Sequence, residues 1–328
     1  MKTFAAGLLM FVMSLPLQAQ NCVAVSREVY LMGTTATLSS CAPTRESGLA
    51  QLEAFLTILE ETEQELSTWI QDSPISRLNR TPVGERFPLN ARLTSLFRDL
   101  FEWSAKTGGA FDPAVGPLTA VWGIHENGRR PASHELEAAR ARSGMAQLEF
   151  SAEENWIARK RDVTIDVGAF GKGEGLDRVA AYARTHPVDP FLIDLGGQIL
   201  AHGGAWPVDL AHPVERRQPA LSLKLASGSL STSSGSERDV YLVDGERIGH
   251  HVDPRTGQTI ISNLSVSVWH ERALIADMLT TALFVMGAEA GLAWAEAHEV
   301  AACFLIPAGN GKLEIRNTRA WSHKNLSR

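Results

Sequence analysis

Apolar residues recur along this chain in two rhythms, and each predicts a kind of element. From Val23 to Ser40 they alternate with polar ones, the period of a half-buried strand, with an interruption at Met32-Gly33-Thr34. Leu49, Leu52, Phe55, Leu56 and Leu59 instead share one helical face, and Thr44 stands where an N-cap belongs. Leu93, Leu96, Phe97, Leu100 and Phe101 repeat that pattern behind Asn90, and Gly108-Gly109 stops it. A loop-rich stretch runs to about Arg130, and a short helix follows from His134 to Arg142. Val163 to Val167 reads as a buried strand leading through a Gly-rich turn into a helix from Gly173 to Arg184. Phe191 to Leu195, closed by Gly196-Gly197, is a further strand. So are Leu221 to Leu225, Val240 to Val243, Leu264 to Trp269 and Val300 to Ile306. Ala273 to Met286 is apolar nearly throughout and predicts a buried helix.

These elements mix without strict alternation. The expected class is therefore α+β, with mixed, largely antiparallel sheets and packed helices. Neither repeats nor low-complexity tracts nor a linker divide the chain, so residues 20–328 read as a single compact catalytic unit. The first residues read differently. Lys2, the apolar run Phe4 to Leu17 and Leu17-Gln18-Ala19 have the form of a secretory signal peptide over residues 1–19. The run is too short to span a bilayer, and the expected compartment is the periplasm. Cys22 lies close to the cut, but Ala19-Gln20-Asn21 disfavours a lipid anchor on it. In an oxidising compartment Cys22 and Cys41 are able to pair, leaving Cys303 as a buried thiol. A formal charge of -6 argues against nucleic acid as a partner.

Four clusters carry candidate chemistry. In Thr164-Ile165-Asp166-Val167-Gly168-Ala169-Phe170-Gly171-Lys172-Gly173 an acid ends a strand, and Lys172 sits at a helix start, where anions are favoured. The same run also suits a plain tight connection. Asp277 and Thr281, four apart in the apolar helix, share a face. A hard cation such as magnesium would satisfy them, or else an arginine paired with Asp277 while Thr281 bonds back to the helix. His250-His251-Val252-Asp253-Pro254-Arg255-Thr256-Gly257 reads as a turn between strands with a potential general base beside it; Arg255 is a candidate phosphate contact. Gly109-Ala110-Phe111-Asp112-Pro113 offers backbone that approaches a flat ring, with Met32 and Trp69 as further ring contacts or ordinary core. Ser231-Thr232-Ser233-Ser234-Gly235 lacks a nucleophile elbow and reads as a polar turn.

In order and spacing these runs, with Leu66-Ser67-Thr68-Trp69, Ile75-Ser76-Arg77-Leu78-Asn79 and Asp194-Leu195-Gly196-Gly197, resemble the FAD:protein FMN transferases of the ApbE family. The resemblance extends from about Tyr30 to Ile306. It implies an α+β fold with FAD, as substrate, bound in a cleft. It also implies Mg2+ at the Ala169 carbonyl, Asp277 and Thr281. FAD contacts are implied at Met32, Trp69, Ala110, Phe111, Asp112, Asp166, Lys172 and His251, and a base at His250. The implied reaction moves FMN onto a Ser or Thr hydroxyl of an acceptor flavoprotein and releases AMP. The implied acceptors are subunits of membrane-bound respiratory electron-transfer complexes. A periplasmic FAD-binding protein, or a magnesium-dependent FAD pyrophosphatase, would use the same pocket. Two positions depart from the family pattern: Ser236-Glu237-Arg238 is one residue short, and Phe170-Gly171 replaces Ile-Ala.

Overall fold

The computed structural model describes residues 22–235, 240–242, 245–308 and 312–324. The expected leader, Val243 and the Ser236-Glu237-Arg238 departure lie outside the described residues. Eight strands form one sheet whose order in space is their order along the chain. They are β1 (Val23–Leu31), β2 (Thr34–Ala42), β3 (Phe191–Leu195), β4 (Gln198–His202), β5 (Gly228–Ser234), β6 (Ser265–His270), β7 (Ala301–Pro307) and β8 (Leu313–Asn317). Every neighbouring pair is antiparallel, so the main sheet is a meander broken by long insertions. With its packed helices this is the α+β class that the alternating and helical periods predict.

Side chains alternate across the sheet and so build two cores. On β7, Ala302 and Phe304 join the helix-side core, while Ala301, Cys303 and Leu305 join the other. The helix side carries α1 (Arg45–Leu66), α2 (Ala91–Lys106), α3 (Gly171–Thr185), α4 (Ala273–Met286) and α5 (Ala288–Ala297). The opposite face is covered by a two-stranded ribbon, Trp206–Ala211 with Pro219–Leu225, and by Trp321. Burial there pushes the Cys303 thiol up to about 12. Cys22 and Cys41 form a disulfide with their Cα atoms 5.4 Å apart, tying the start of β1 to the end of β2.

The helices start where their caps stand. Thr44 Oγ1 accepts from the Ser47 N–H at 3.1 Å, and Asn90 Oδ1 accepts from the Leu93 N–H at 2.8 Å. Each such cap is worth about 1 kcal/mol. In α4 every residue except Thr281 and Met286 is buried, so its apolar run closes the core on all sides. Among the described residues no helix is long and apolar enough to cross a membrane.

Two segments differ from expectation. Val163 to Val167 is extended but belongs to no sheet, because its backbone groups are satisfied elsewhere. The Asn79 amide clasps Ile165 from both sides: Nδ2 donates to the Ile165 carbonyl at 2.9 Å and Oδ1 accepts from its N–H at 2.7 Å. The Asp166 N–H donates to Pro113 O, and the Gly116 N–H to Thr164 O. The second is Ser231 to Gly235, which reads as a polar turn, whereas Ser231 to Ser234 lie in β5, inside the sheet. Their hydroxyls meet partners on both faces: Ser231 pairs with Thr280 of α4, Thr232 with Ser267 of β6, and Ser234 with Arg216. A polar strand in mid-sheet is tolerated because those partners exist.

Candidate active site

Three elements bring their chemistry to one cleft of about 790 Å³, a size typical of small-molecule sites. The 164–172 segment contributes Asp166, Gly168, Ala169 and Lys172; α4 contributes Asp277 and Thr281; the 250–254 segment contributes His250, His251, Val252 and Pro254. Ala110, Phe111 and Asp112 line it as well. Ten of the twelve residues to which the resemblance assigns a role therefore share one wall or another of a single cavity.

The corner between α3 and α4 is tightly made. Gly173, in the first turn of α3, donates its N–H to Asp277 Oδ2 at 2.9 Å, and Lys172 Nζ lies 3.6 Å from Asp277 Oδ1. A Cβ on Gly173 would fall 2.6 Å from the Ala273 carbonyl and 2.8 Å from Asp277 Cβ, so only glycine allows the two helices this approach. Thr281 is one turn beyond Asp277 on the same face. A carboxylate, a hydroxyl and a backbone carbonyl form an all-oxygen donor set, which suits a hard divalent cation that keeps some of its waters. Among the described residues no group of three His, Cys, Asp or Glu side chains could hold a metal, so softer transition-metal chemistry has no donor cluster here.

Asp166 ties the wall to the 125 loop. Its Oδ1 accepts from the Gly168 N–H at 2.8 Å and its Oδ2 contacts His125 Nε2 at 2.7 Å. Burial pushes its carboxyl up, but the His125 hydrogen bond and charge, together with the Gly168 and Thr119 donors, outweigh this and hold it below the usual range. Asp112 shows the opposite balance. Burial raises it despite donors from the backbones of Met145 and Ala114, which occupy its two oxygens at 2.9 and 2.8 Å. Its first task is therefore to pin the 112–114 turn to Met145. On the far wall His250 and His251 lie ring against ring at 4.0 Å, and His251 packs on Phe284 of α4 at 4.5 Å.

Three candidates from the sequence stand elsewhere. Met32 is not among the residues lining the cleft. It takes a left-handed φ of 50° at the β1–β2 turn, donates its N–H to Glu63 Oε1, and packs its thioether behind the wall against Gly171 and Gly175. Trp69 is 74% exposed and meets His125 edge-on at 5.9 Å, which puts it on the rim. Arg255 is not drawn to the cleft; its guanidinium grips Asp253 through Nε and Nη2, both at 2.9 Å. Conversely, the cleft is lined by His125, Gln198 and Arg216, none of which the sequence pattern singled out. His125 followed Trp122-Gly123 in a loop, Gln198 followed Gly196-Gly197, and Arg216 sat in an undistinguished polar stretch.

The profile of the ApbE family matches residues 32–304. The FAD:protein FMN transferase of Vibrio cholerae is 30% identical over 314 residues, covering 91% of this chain and 93% of its own. Among solved structures, the flavinyl transferase ApbE of Pseudomonas stutzeri in its apo form superposes with a TM-score of 0.80 at 28% identity, covering 94% of this chain and 98% of that one. The ApbE protein of Thermotoga maritima superposes with a TM-score of 0.83 at 25% identity, covering 93% and 100%. With the profile spanning most of its length and the same fold found throughout, the chain belongs to the ApbE family.

Proposed function

We propose that this protein is an exported, magnesium-dependent FAD:protein FMN transferase that joins FMN to a Ser or Thr hydroxyl of an acceptor flavoprotein and releases AMP. The observation that carries this reading is the meeting of Ala169, Lys172, Asp277 and Thr281 with His250 and His251 around one cleft. The names of its relatives in Vibrio cholerae and Pseudomonas stutzeri support the same activity.

In this reading the Ala169 carbonyl, Asp277 and Thr281 hold Mg2+. When bound, the cation neutralises charge on the diphosphate and polarises the phosphorus under attack. The chain's own residues do the rest by position and charge, as phosphoryl transfer generally requires. Lys172 places a cation beside the carboxylate corner and reaches the diphosphate oxygens. His250 takes the proton from the acceptor hydroxyl as its oxygen bonds to the FMN-side phosphorus. The bond from that phosphorus to the bridging oxygen breaks, and the oxygen leaves with AMP. Ala110 and Phe111 offer backbone to the flavin or the base, and the Trp69 rim covers it. The Cys22–Cys41 disulfide supports an oxidising compartment such as the periplasm, and a sulfur held in that bond is not free to carry a lipid. Subunits of membrane-bound respiratory complexes are the proposed acceptors.

The test is direct. Mature protein is incubated with FAD, Mg2+ and a candidate acceptor subunit, and the acceptor is weighed by intact-mass spectrometry. An FMN-sized gain with one AMP released per adduct is expected. Free FMN and AMP in the absence of acceptor would indicate a pyrophosphatase instead, and FAD surviving intact with Mg2+ and acceptor present would indicate a binding protein.

A further inference from the structure

Two carboxylates in the cleft wall are held in opposite states. Asp112 takes donors from the Met145 and Ala114 backbones and the Ser104 hydroxyl, yet burial still carries its carboxyl upward. Asp166 also loses solvent to burial and takes the Gly168 N–H and the Thr119 hydroxyl, but its carboxyl is held low. The difference is an imidazole: His125 Nε2 lies 2.7 Å from Asp166 Oδ2.

Backbone holds both partners in place. The helix Gly116–Trp122 ends on Gly123, whose φ of 62° turns the chain. The turn that carries His125 is closed by the Gly128 N–H on Gly123 O and the Arg129 N–H on Trp122 O. Trp122 Nε1 in turn donates to Gly257 O at 2.8 Å, and the Asp166 N–H donates to Pro113 O. A carboxylate offers about four lone-pair sites. Gly168, Thr119 and His125 take three of them, and the Asp166 side chain keeps 16% of its surface in a residue that lines the cleft. An acceptor so placed suits a hydroxyl or N–H that a ligand brings, and FAD carries both.

We propose that His125 is a positioning residue of the FAD site, holding the Asp166 carboxylate in the cleft as an acceptor for a hydroxyl or N–H of FAD. This rests on the FAD reading of the cleft, and it gives a role to a residue that the family resemblance leaves unassigned.

The hold is electrostatic as well as geometric. Thr119 meets Asp166 from the helix Gly116–Trp122, Gly168 from its own segment and His125 from the turn; among these His125 alone can carry charge. An ionised carboxylate accepts at every site, whereas a protonated one donates. Acceptance is therefore present above the folded pKa of Asp166 and lost as pH falls through it. His125 is the largest influence opposing burial, so its removal moves that acid limb upward, in the direction Asp112 already shows. The other titratable groups lining the cleft, Asp112, Lys172, Arg216, His250, His251 and Asp277, stay the same throughout the test.

The experiment uses the full mature chain in chelator, with FAD affinity followed by flavin fluorescence. H125F keeps a ring beside Trp69 but removes the donor and the charge; H125Q keeps a donor and removes only the charge. Relative to the unaltered protein, H125F is expected to bind FAD about tenfold more weakly near pH 5 and only about threefold more weakly near pH 8. H125Q should recover the value near pH 8 and keep the raised acid limb. D166N should weaken FAD binding, and H125F added to it should cost nothing more, because His125 acts through Asp166.

A loss in H125F that is equal at both pH values, or that persists on top of D166N, overturns the proposal and makes His125 a direct contact or a structural residue. Unchanged affinity in H125F overturns it as well. Should H125F lose its cooperative melt, H125Q decides, and an acid limb where the unaltered protein has it is fatal. If D166N binds FAD as well as the unaltered protein, the inference is wrong while the FAD reading stands. If the unaltered chain binds no FAD, that reading itself fails.

Discussion

The two long walls of the cleft are built in opposite ways. One is the α3–α4 corner, where Asp277 projects from a helix buried along nearly its whole length and a backbone N–H of α3 reaches its carboxylate. The other carries His250 between two short ladders and His251 on the second: among the described residues Val240–Tyr241 pairs with Arg247–Ile248 and His251–Val252 with Thr259–Ile260. A ligand atom on the first wall moves only if a helix moves. A side chain on the second is held by a few local bonds and by ring contact with Phe284. The contrast fits the proposed roles: metal ligands would need fixed geometry, whereas a base meeting an acceptor's hydroxyl would need a wall that admits a second chain.

Substitutions that break the rigid wall should therefore have the largest effects. Asp277→Ala removes the only carboxylate of the proposed donor set, and transfer measured in single-turnover assays is expected to fall by several orders of magnitude. Turnover near that of the unaltered protein would take the metal away from this corner. His250→Ala should slow transfer roughly 10²- to 10⁴-fold at saturating FAD, with FAD affinity little changed; a loss of affinity matching the loss of rate would make it a binding contact. Gly173→Ala pushes a methyl against backbone in the α3–α4 corner. A stability loss of about 1–3 kcal/mol is expected from overpacking of this kind, read as a lower midpoint in denaturant, and an unchanged midpoint would mean the corner is looser than drawn. His251→Ala should weaken FAD binding more than it slows saturated transfer, which a comparison of kcat with KM separates. Trp69→Ala, at the rim, should change FAD affinity only a few-fold, on the order of the 1 kcal/mol that one aromatic contact contributes; a large change would place the ring inside the site.

The helices were legible because their signals are local. Thr44 and Asn90 cap within three residues of themselves, and the apolar run of Ala273 to Met286 announces burial without any knowledge of neighbours. Asp277 and Thr281 stood out for the same reason, as polar residues in an apolar helix. What was not legible depends on distant partners. Val163 to Val167 has the composition of a strand, but Asn79 takes its hydrogen bonds. Ser231 to Ser234 has the composition of a turn, but Thr280 and Ser267 make it a strand. Gln198, His125 and Arg216 carry no motif of their own; each matters through a contact with Ala273, Asp166 or Ser234. Met32 likewise depends on distant partners: the resemblance implies a ring contact for it, and its thioether packs against Gly171 and Gly175.

The Asn79 clasp has a consequence in time as well as in space. It joins residues 86 apart in the chain, the Gly173–Asp277 bond joins residues 104 apart, and the Gln198–Ala273 bond joins residues 75 apart. Contacts of such separation form late, because loop closure must be paid before they reward it. The wall that holds Asp166, Ala169 and Lys172 cannot take shape until α4, near the end of the chain, has docked. A chain still emerging, or one kept unfolded for passage through a membrane, therefore has no cleft.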